Sequence, residues 1–126
     1  MSGSDIELLR RGWAAFFRGD IEAASDVLDP NVRWYGAGDE DEGCHNRDEA
    51  IAFLRQSRED GVSAELLDAR EAGERVLLIV HNHTPTEWGQ SDAPHGELAT
   101  VRDGKVVEIV VYPSVDEAVA AAGDPT

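Results

Sequence analysis

Residues 98–113 read LATVRDGKVVEIVVYP and decide the fold prediction for the whole chain. Two apolar runs flank Arg102-Asp103-Gly104-Lys105, and an Asp-Gly pair between hydrophobic runs is the strongest short-range signal for a β-hairpin. The tight turn of such a hairpin requires positive φ at both central residues, which Gly104 adopts freely and Asp103 tolerates. The stretch therefore predicts two antiparallel strands near the end of the chain.

The rest of the chain carries helical patterns first and strand patterns afterwards. Apolar residues at helical spacing, often followed by glycine, indicate helices, and short runs rich in apolar residues indicate strands. The predicted elements are helices over 5–18 and 20–28, a strand over 32–35, a helix over 48–58, strands over 62–72, 75–84 and 95–101, the closing strand of the hairpin, and a terminal helix over 114–122. This order predicts an α+β fold whose bent antiparallel sheet wraps around the first helix and encloses a pocket.

Composition limits the class of protein. The 126 residues, 41% hydrophobic and 29% charged, fit one globular domain that spans 1–126. No apolar run reaches the roughly 18 residues that cross a bilayer, and the first residues lack the basic and apolar regions of a signal peptide. A single cysteine, Cys44, fits a reducing cytoplasm. The net charge of −15 repels nucleic-acid phosphates and anionic membranes, so neither is expected as a partner.

Several short motifs, taken in order, resemble the SnoaL-like proteins of the nuclear transport factor 2-like superfamily. They are an aromatic helix that ends in Arg18-Gly19-Asp20, then LDPNV at 28–32, HNRDEAI at 45–51 and DGKVV at 103–107. Asn46 stands where the family usually has glycine, which fits because asparagine tolerates the left-handed conformation. The resemblance covers nearly the whole chain and rests on the order and spacing of the motifs.

The resemblance implies a cone-shaped fold with a curved antiparallel sheet, an apolar pocket and a homodimer formed through the sheet. Ketosteroid isomerase, polyketide cyclases and limonene epoxide hydrolase are members, so the fold alone does not fix a function. Cyclases and epoxide hydrolases of the family often carry an aspartate where this chain has Val111. The isomerases place a general-base aspartate where it has Trp34, whose N–H only donates. Neither known mechanism transfers to these residues.

His81 and His83 are the candidate catalytic residues, because residues two apart on a strand share one face. An imidazole in the pocket could act as an acid or base, and His83 is preferred because it lies nearer the strand end. With Glu87 the pair also resembles the metal motif of cupins, but the flanking glycines and the second cupin motif are absent, so no metal and no cofactor are predicted. Alternatively the pair provides hydrogen-bonding groups at a dimer face or a sheet end. His95 is expected to be structural.

Aromatic side chains at the predicted pocket indicate that its ligand is a small apolar molecule. Trp13, Trp34, Val111 and Tyr112 are predicted to line the pocket between the first helix and the sheet. Trp88, in a polar loop, is predicted to cap the pocket mouth, with an exposed position or a dimer contact as alternatives. The first hypothesis is a small-molecule-binding protein with no assigned catalytic acid. The alternative is an isomerase, cyclase or hydrolase that acts on an apolar cyclic substrate through a histidine acid or base.

Overall fold

The structure is a computed structural model that describes residues 2–61, 63–83 and 94–122. Its elements, in chain order, are α1 (Ser2–Phe17), α2 (Ile21–Asp26), β1 (Leu28–Gly36), α3 (Arg47–Glu59), β2 (Ser63–Ala72), β3 (Arg75–His83), β4 (His95–Arg102), β5 (Lys105–Tyr112) and α4 (Val115–Ala121). This order confirms the predicted α+β class. Within the described ranges, no helix combines the length and the apolar character needed to cross a membrane.

Strands β4 and β5 form the predicted hairpin. Asp103 and Gly104 have φ values of 51° and 76°, the positive values that the tight turn requires. The strand order across the sheet is β1-β5-β4-β3-β2. The pairs β2–β3, β3–β4 and β4–β5 are antiparallel, so these four consecutive strands form a meander. The hairpin strands therefore lie in the interior of the sheet, with β1 and β2 at its edges.

The sheet is mixed, whereas the sequence predicted an antiparallel one. β1 pairs in parallel with β5, from Leu28 opposite Val106 to Gly36 opposite Val111. Because β1 reaches the meander through α3, no hairpin loop fixes its direction. β1 also begins before the predicted residue 32, since Pro30 is tolerated in a strand at a sheet edge. The five strands form a curved sheet that stays open.

Side chains cap the beginnings of α2, α3 and α4. Asp20, Asn46 and Ser114 are the N-cap residues, and each accepts a hydrogen bond from the backbone N–H three residues later. The expectation that Asn46 suits a left-handed backbone is wrong, because its φ of −160° is extended. Its side-chain oxygen accepts from the Glu49 N–H at 2.9 Å. Asparagine therefore serves here as a cap, a contact that glycine has no side chain to make.

An apolar cluster lies on each face of the sheet. The inner face, covered by α1, α2 and α3, carries the larger cluster, which includes Leu9, Val32, Ala50, Leu78, Val80 and Ile109. The outer face carries α4, whose Ala118 packs with Leu77 and Leu98. A Cβ added to Gly96 would lie 2.3 Å from the Ala118 Cβ, so the glycine permits this close approach of α4 to β4. Successive residues of a strand therefore enter different apolar layers.

Candidate functional site

A cavity of about 230 Å³ lies between the inner face of the sheet and helices α1 to α3. Its wall is mainly apolar and includes Trp13, Phe16, Leu28, Trp34, Leu54, Leu78, Ile109 and Val111. Phe53 of α3 also lines the cavity and is 51% exposed, so the cavity reaches the surface beside this helix. The volume falls below the roughly 300–1,000 Å³ of sites for drug-sized ligands. It therefore suits a molecule of one or two rings.

Three residues that the sequence placed in a pocket meet at this cavity. Trp13 enters from α1, Trp34 from β1 and Val111 from β5. Trp34 also packs edge-on against Phe53, with ring centroids 5.7 Å apart and an angle of 70° between the rings. The two tryptophans thus stand on different walls of one apolar space. Their role in ligand binding stays a prediction.

Arg58, near the end of α3, holds the end of α1 beside the cavity. Its Nη1 donates to the Phe16 carbonyl oxygen at 2.9 Å, and its guanidinium carbon lies 5.7 Å from the centroid of the Phe16 ring. The Phe16 carbonyl oxygen also accepts from the Gly19 N–H at 3.0 Å, so the contact with Arg58 adds a second hydrogen bond to one of the last carbonyl groups of the helix. It ties the end of α1 to the end of α3.

Tyr112 lies outside the cavity, which corrects its predicted position. It follows Val111 on β5, and successive residues of a strand point to opposite faces. Tyr112 packs against the cluster of Leu77, Leu98 and Ala118 on the outer face. It therefore contributes to the attachment of α4 rather than to the cavity wall.

His81, the described member of the histidine pair on β3, is not among the residues that line the cavity. Leu78 lines the cavity and Val80 belongs to the inner cluster, so alternation along β3 places His81 on the outer face. His83 ends β3, and its side chain lies outside the described part of the chain, as does Trp88. Among the residues that are described, no group of three or more His, Cys, Asp or Glu is arranged to hold a metal ion.

Strand β4 supplies two polar residues of the cavity wall, His95 and Glu97. The Nε2 atom of His95 lies 2.8 Å from Oε2 of Glu97, and the two side chains are only 12% and 7% exposed. Oε1 of Glu97 is buried and has no hydrogen-bond partner within the described ranges. From the sequence, His95 is expected to be structural, and Glu97 is not among the predicted site residues. The signal for the pair is the spacing of two, which puts both side chains on one face of a strand.

The hydrogen bond between these residues determines which nitrogen of His95 is available. When the Glu97 carboxyl is ionised, the Nε2–H donates to Oε2 and Nδ1 keeps a lone pair. A carboxylate that fixes the tautomer of an imidazole is the arrangement by which enzymes orient a histidine base. The pair can therefore accept and return a proton without rearranging its own hydrogen bond.

Glu97 also lies directly opposite Val111 in the register of β4 and β5, and both residues line the cavity. Directly opposed side chains in antiparallel strands have Cβ atoms about 5 Å apart. Val111 is the position where the family resemblance places an aspartate. The carboxyl group of this chain thus reaches the same region of the cavity from the neighbouring strand.

A second carboxyl group, that of Glu108, lies on the outer face. The Tyr35 hydroxyl donates to Glu108 Oε2 at 2.8 Å. Burial and, secondarily, this hydrogen bond raise the pKa of Tyr35 to about 12. Neither residue belongs to the cavity wall. Glu108 therefore provides a reference for substitutions at Glu97, since it carries the same group on the other side of the sheet.

Comparison with known sequences agrees with this architecture. The family model described as a SnoaL-like domain matches residues 9–109. Among curated proteins, none matches this chain significantly.

Solved structures share the fold at low sequence identity. An NTF2-like protein of unknown function from Burkholderia pseudomallei is 21% identical with a TM-score of 0.70, over 93% of this chain and 95% of that one. A putative polyketide cyclase from Xanthomonas campestris pv. campestris is 24% identical with a TM-score of 0.66, over 95% and 97% of the two chains. TerC, co-crystallised with polyporic acid, is 21% identical with a TM-score of 0.69, over 86% and 89%. The family match and the shared NTF2-like fold together show that this chain belongs to the SnoaL-like domain family.

Proposed function

We propose that the protein binds a compact, mostly apolar ring compound in the inner cavity. The observation that carries the proposal is an apolar space of about 230 Å³ with one buried polar pair, His95 and Glu97, in its wall. Such a mixture of apolar surface and a few placed polar groups is typical of small-molecule sites. Trp13 and Trp34 add large flat surfaces against which a ring can pack. One neighbour in fold is named a putative polyketide cyclase, which is consistent with a small organic ligand.

Calorimetric titration with naphthol, a hydroxylated compound of two fused rings, tests the binding proposal. Val111→Phe places a larger side chain in the cavity wall and is expected to weaken naphthol binding at least about tenfold. Leu67→Phe is the matched control, because Leu67 is 47% exposed on β2 and does not line the cavity. The proposal fails if naphthol does not bind, or if both variants bind it as the wild type does.

The His95–Glu97 pair favours a second function, proton transfer of the isomerase or cyclase type. We propose that Nδ1 of His95 removes a proton from a carbon next to a carbonyl group of the bound compound. The electrons of the broken C–H bond move into the enolate, and the proton stays on the imidazole. Glu97 keeps its bond to Nε2–H and stabilises the positive ring, and the proton then returns to carbon. The wall around the pair is apolar and strengthens this electrostatic contact.

Exchange of hydrogen for deuterium at the acidic carbon of β-tetralone, a bicyclic ketone, measures this step without knowledge of the natural substrate. His95→Gln is expected to slow the protein-catalysed exchange about a hundredfold, which is the range of general acid–base catalysis. His45→Gln is the matched control, because His45 does not line the cavity. Its Nδ1 lies 3.0 Å from Oε1 of Glu49, and both side chains are exposed. Exchange no faster than in buffer, or full activity in His95→Gln, would contradict the proton-transfer function and leave ligand binding in place.

A further inference from the structure

The second oxygen of Glu97 bears on which compounds the cavity accepts. Oε2 is hydrogen-bonded to His95, while Oε1 is buried and has no partner among residues 2–61, 63–83 and 94–122. The side chain is 7% exposed and belongs to the cavity wall. Buried polar groups in proteins nearly always have a hydrogen-bond partner. An acceptor without one, on a side chain that lines an apolar cavity, calls for a donor from the compound that binds in that cavity.

The chemistry of the carboxyl group limits what the donor can be. An ionised carboxylate accepts hydrogen bonds and donates none, so the ligand must bring an O–H or N–H group. A ligand carboxylate would place two like charges together in a space of low dielectric, which is unfavourable. The protein as a whole carries a net charge of −15, which also disfavours an anion.

We infer that the ligand is a compact ring compound with a hydroxyl or amine group that donates to Oε1 of Glu97, and that carboxylated compounds of the same size are rejected. The inference rests on the proposed binding in the cavity and adds the polar group of the ligand. The neighbouring wall positions Trp34, Leu78 and Val111 are apolar or, for the indole, donor-only. The other acceptors of the wall are Nδ1 of His95 and the hydroxyl of Ser57, and neither of them carries the negative charge of an ionised carboxylate. Glu97 is thus a specificity-determining residue.

Three naphthalene derivatives with different groups at the same ring position test the inference by calorimetric titration. Naphthol carries a donor, methylnaphthalene carries a group of similar size without a donor, and naphthoate carries a negative charge. We expect naphthol to bind at least about tenfold more tightly than methylnaphthalene, although the methyl group is more apolar. Naphthoate is expected to bind most weakly.

Glu97→Gln keeps the size of the side chain and removes its charge, while its amide can also donate. The variant should lose most of the preference for naphthol and gain affinity for naphthoate. Binding of methylnaphthalene by this variant is the check that the cavity is intact. Glu108→Gln, the same substitution on the outer face, should leave the affinities for all three compounds at their wild-type values.

The outcomes separate this inference from the proposal beneath it. If methylnaphthalene binds as tightly as naphthol, or if Glu97→Gln retains the preference for naphthol, the cavity binds rings but Glu97 does not select a donor. If none of the three compounds binds the wild type, the binding proposal fails, and the inference fails with it.

Discussion

Replacement of both His95 and Glu97 by leucine is expected to stabilise the unliganded protein and to abolish its preference for naphthol. The two side chains are buried in an apolar wall, and one carboxyl oxygen has no partner within the described ranges. Leucine fills a comparable volume without polar atoms. Exchange of a buried ionic pair for hydrophobic residues is often neutral or stabilising by about 1–4 kcal/mol.

The magnitude follows from the contacts of the pair. The unpartnered oxygen lowers the free energy of unfolding by about 1–3 kcal/mol. The hydrogen bond from His95 to Glu97 raises it by about 1.5–3 kcal/mol when one partner is charged. These contributions nearly cancel, so the added burial of apolar surface decides the sign. A gain of about 1–4 kcal/mol corresponds to a rise in Tm of about 4–15 °C, because 1 kcal/mol shifts a chain of 126 residues by about 4 °C.

The single variants make the prediction sharper. His95→Leu leaves the Glu97 carboxyl buried with no partner for either oxygen in the described chain, so it should destabilise by about 3–5 kcal/mol. The double variant should reverse this loss, which is a large departure from additivity. Urea and thermal unfolding, followed by circular dichroism on the wild type, both single variants and the double variant, measure the free energies of unfolding.

His45 and Glu49 provide the control, because they form a similar pair that is 46% and 50% exposed. Leucine at His45 alone should leave the unfolding midpoint nearly unchanged, since exposed ion pairs contribute little and Glu49 keeps its hydrogen bond from the His45 backbone N–H. A double variant at His95 and Glu97 that melts well below the wild type would refute the reasoning. The pair would then stabilise the core, and its burial would need no ligand to explain it.

Four further predictions concern single positions. Gly96→Ala should destabilise by about 1–3 kcal/mol in urea, because its Cβ would push α4 off the sheet. Asn46→Ala should cost about 1 kcal/mol by the same measurement, while Asn46→Asp keeps the cap. Between pH 10 and 12 the free energy of unfolding should fall more steeply in the wild type than in Tyr35→Phe, because the unfolded phenol loses its proton near 10.0 and the folded one near 12. Calorimetry should show that the single variant Glu97→Val loses the preference for naphthol. The double variant, which combines Glu97→Val with Val111→Glu, should regain part of that preference, because the two residues lie opposite each other in β4 and β5.

The elements whose signals are local could be predicted from the sequence. The Asp103-Gly104 turn has the positive φ values that its residues favour. Asp20 and Ser114, which cap α2 and α4, are of the residue types preferred at a helix N-cap. The parallel pairing of β1 with β5 could not be predicted in this way. It depends on which sheet edge β1 reaches after α3, and no local pattern around Pro30 encodes that choice.

The candidate site was harder to predict because both faces of the sheet are covered. In β4, the apolar Leu98 suggests that the face of the strand on which it lies is turned to the core. The neighbouring Glu97, on the opposite face, would then be turned to water. The short helix α4 covers Leu98 on the outer face, however, and the cavity takes up Glu97 on the inner face. The same ambiguity explains why Tyr112 was predicted on the wrong face of β5. A sequence gives the alternation along each strand, but it does not say which of two buried faces holds the cavity.

The partners of the two carboxyl groups on opposite faces argue for a functional reading of the inner one. Glu108 receives the Tyr35 hydroxyl and faces no cavity, so its contacts account for its position. Glu97 is more deeply buried than Glu108, and only one of its carboxyl oxygens has a hydrogen-bond partner among the described residues. If Glu97 served only to stabilise the fold, a second partner or an apolar residue would serve better. A hydrogen-bond donor that enters with the ligand would account for both the unpartnered oxygen and the place of this side chain in the cavity wall.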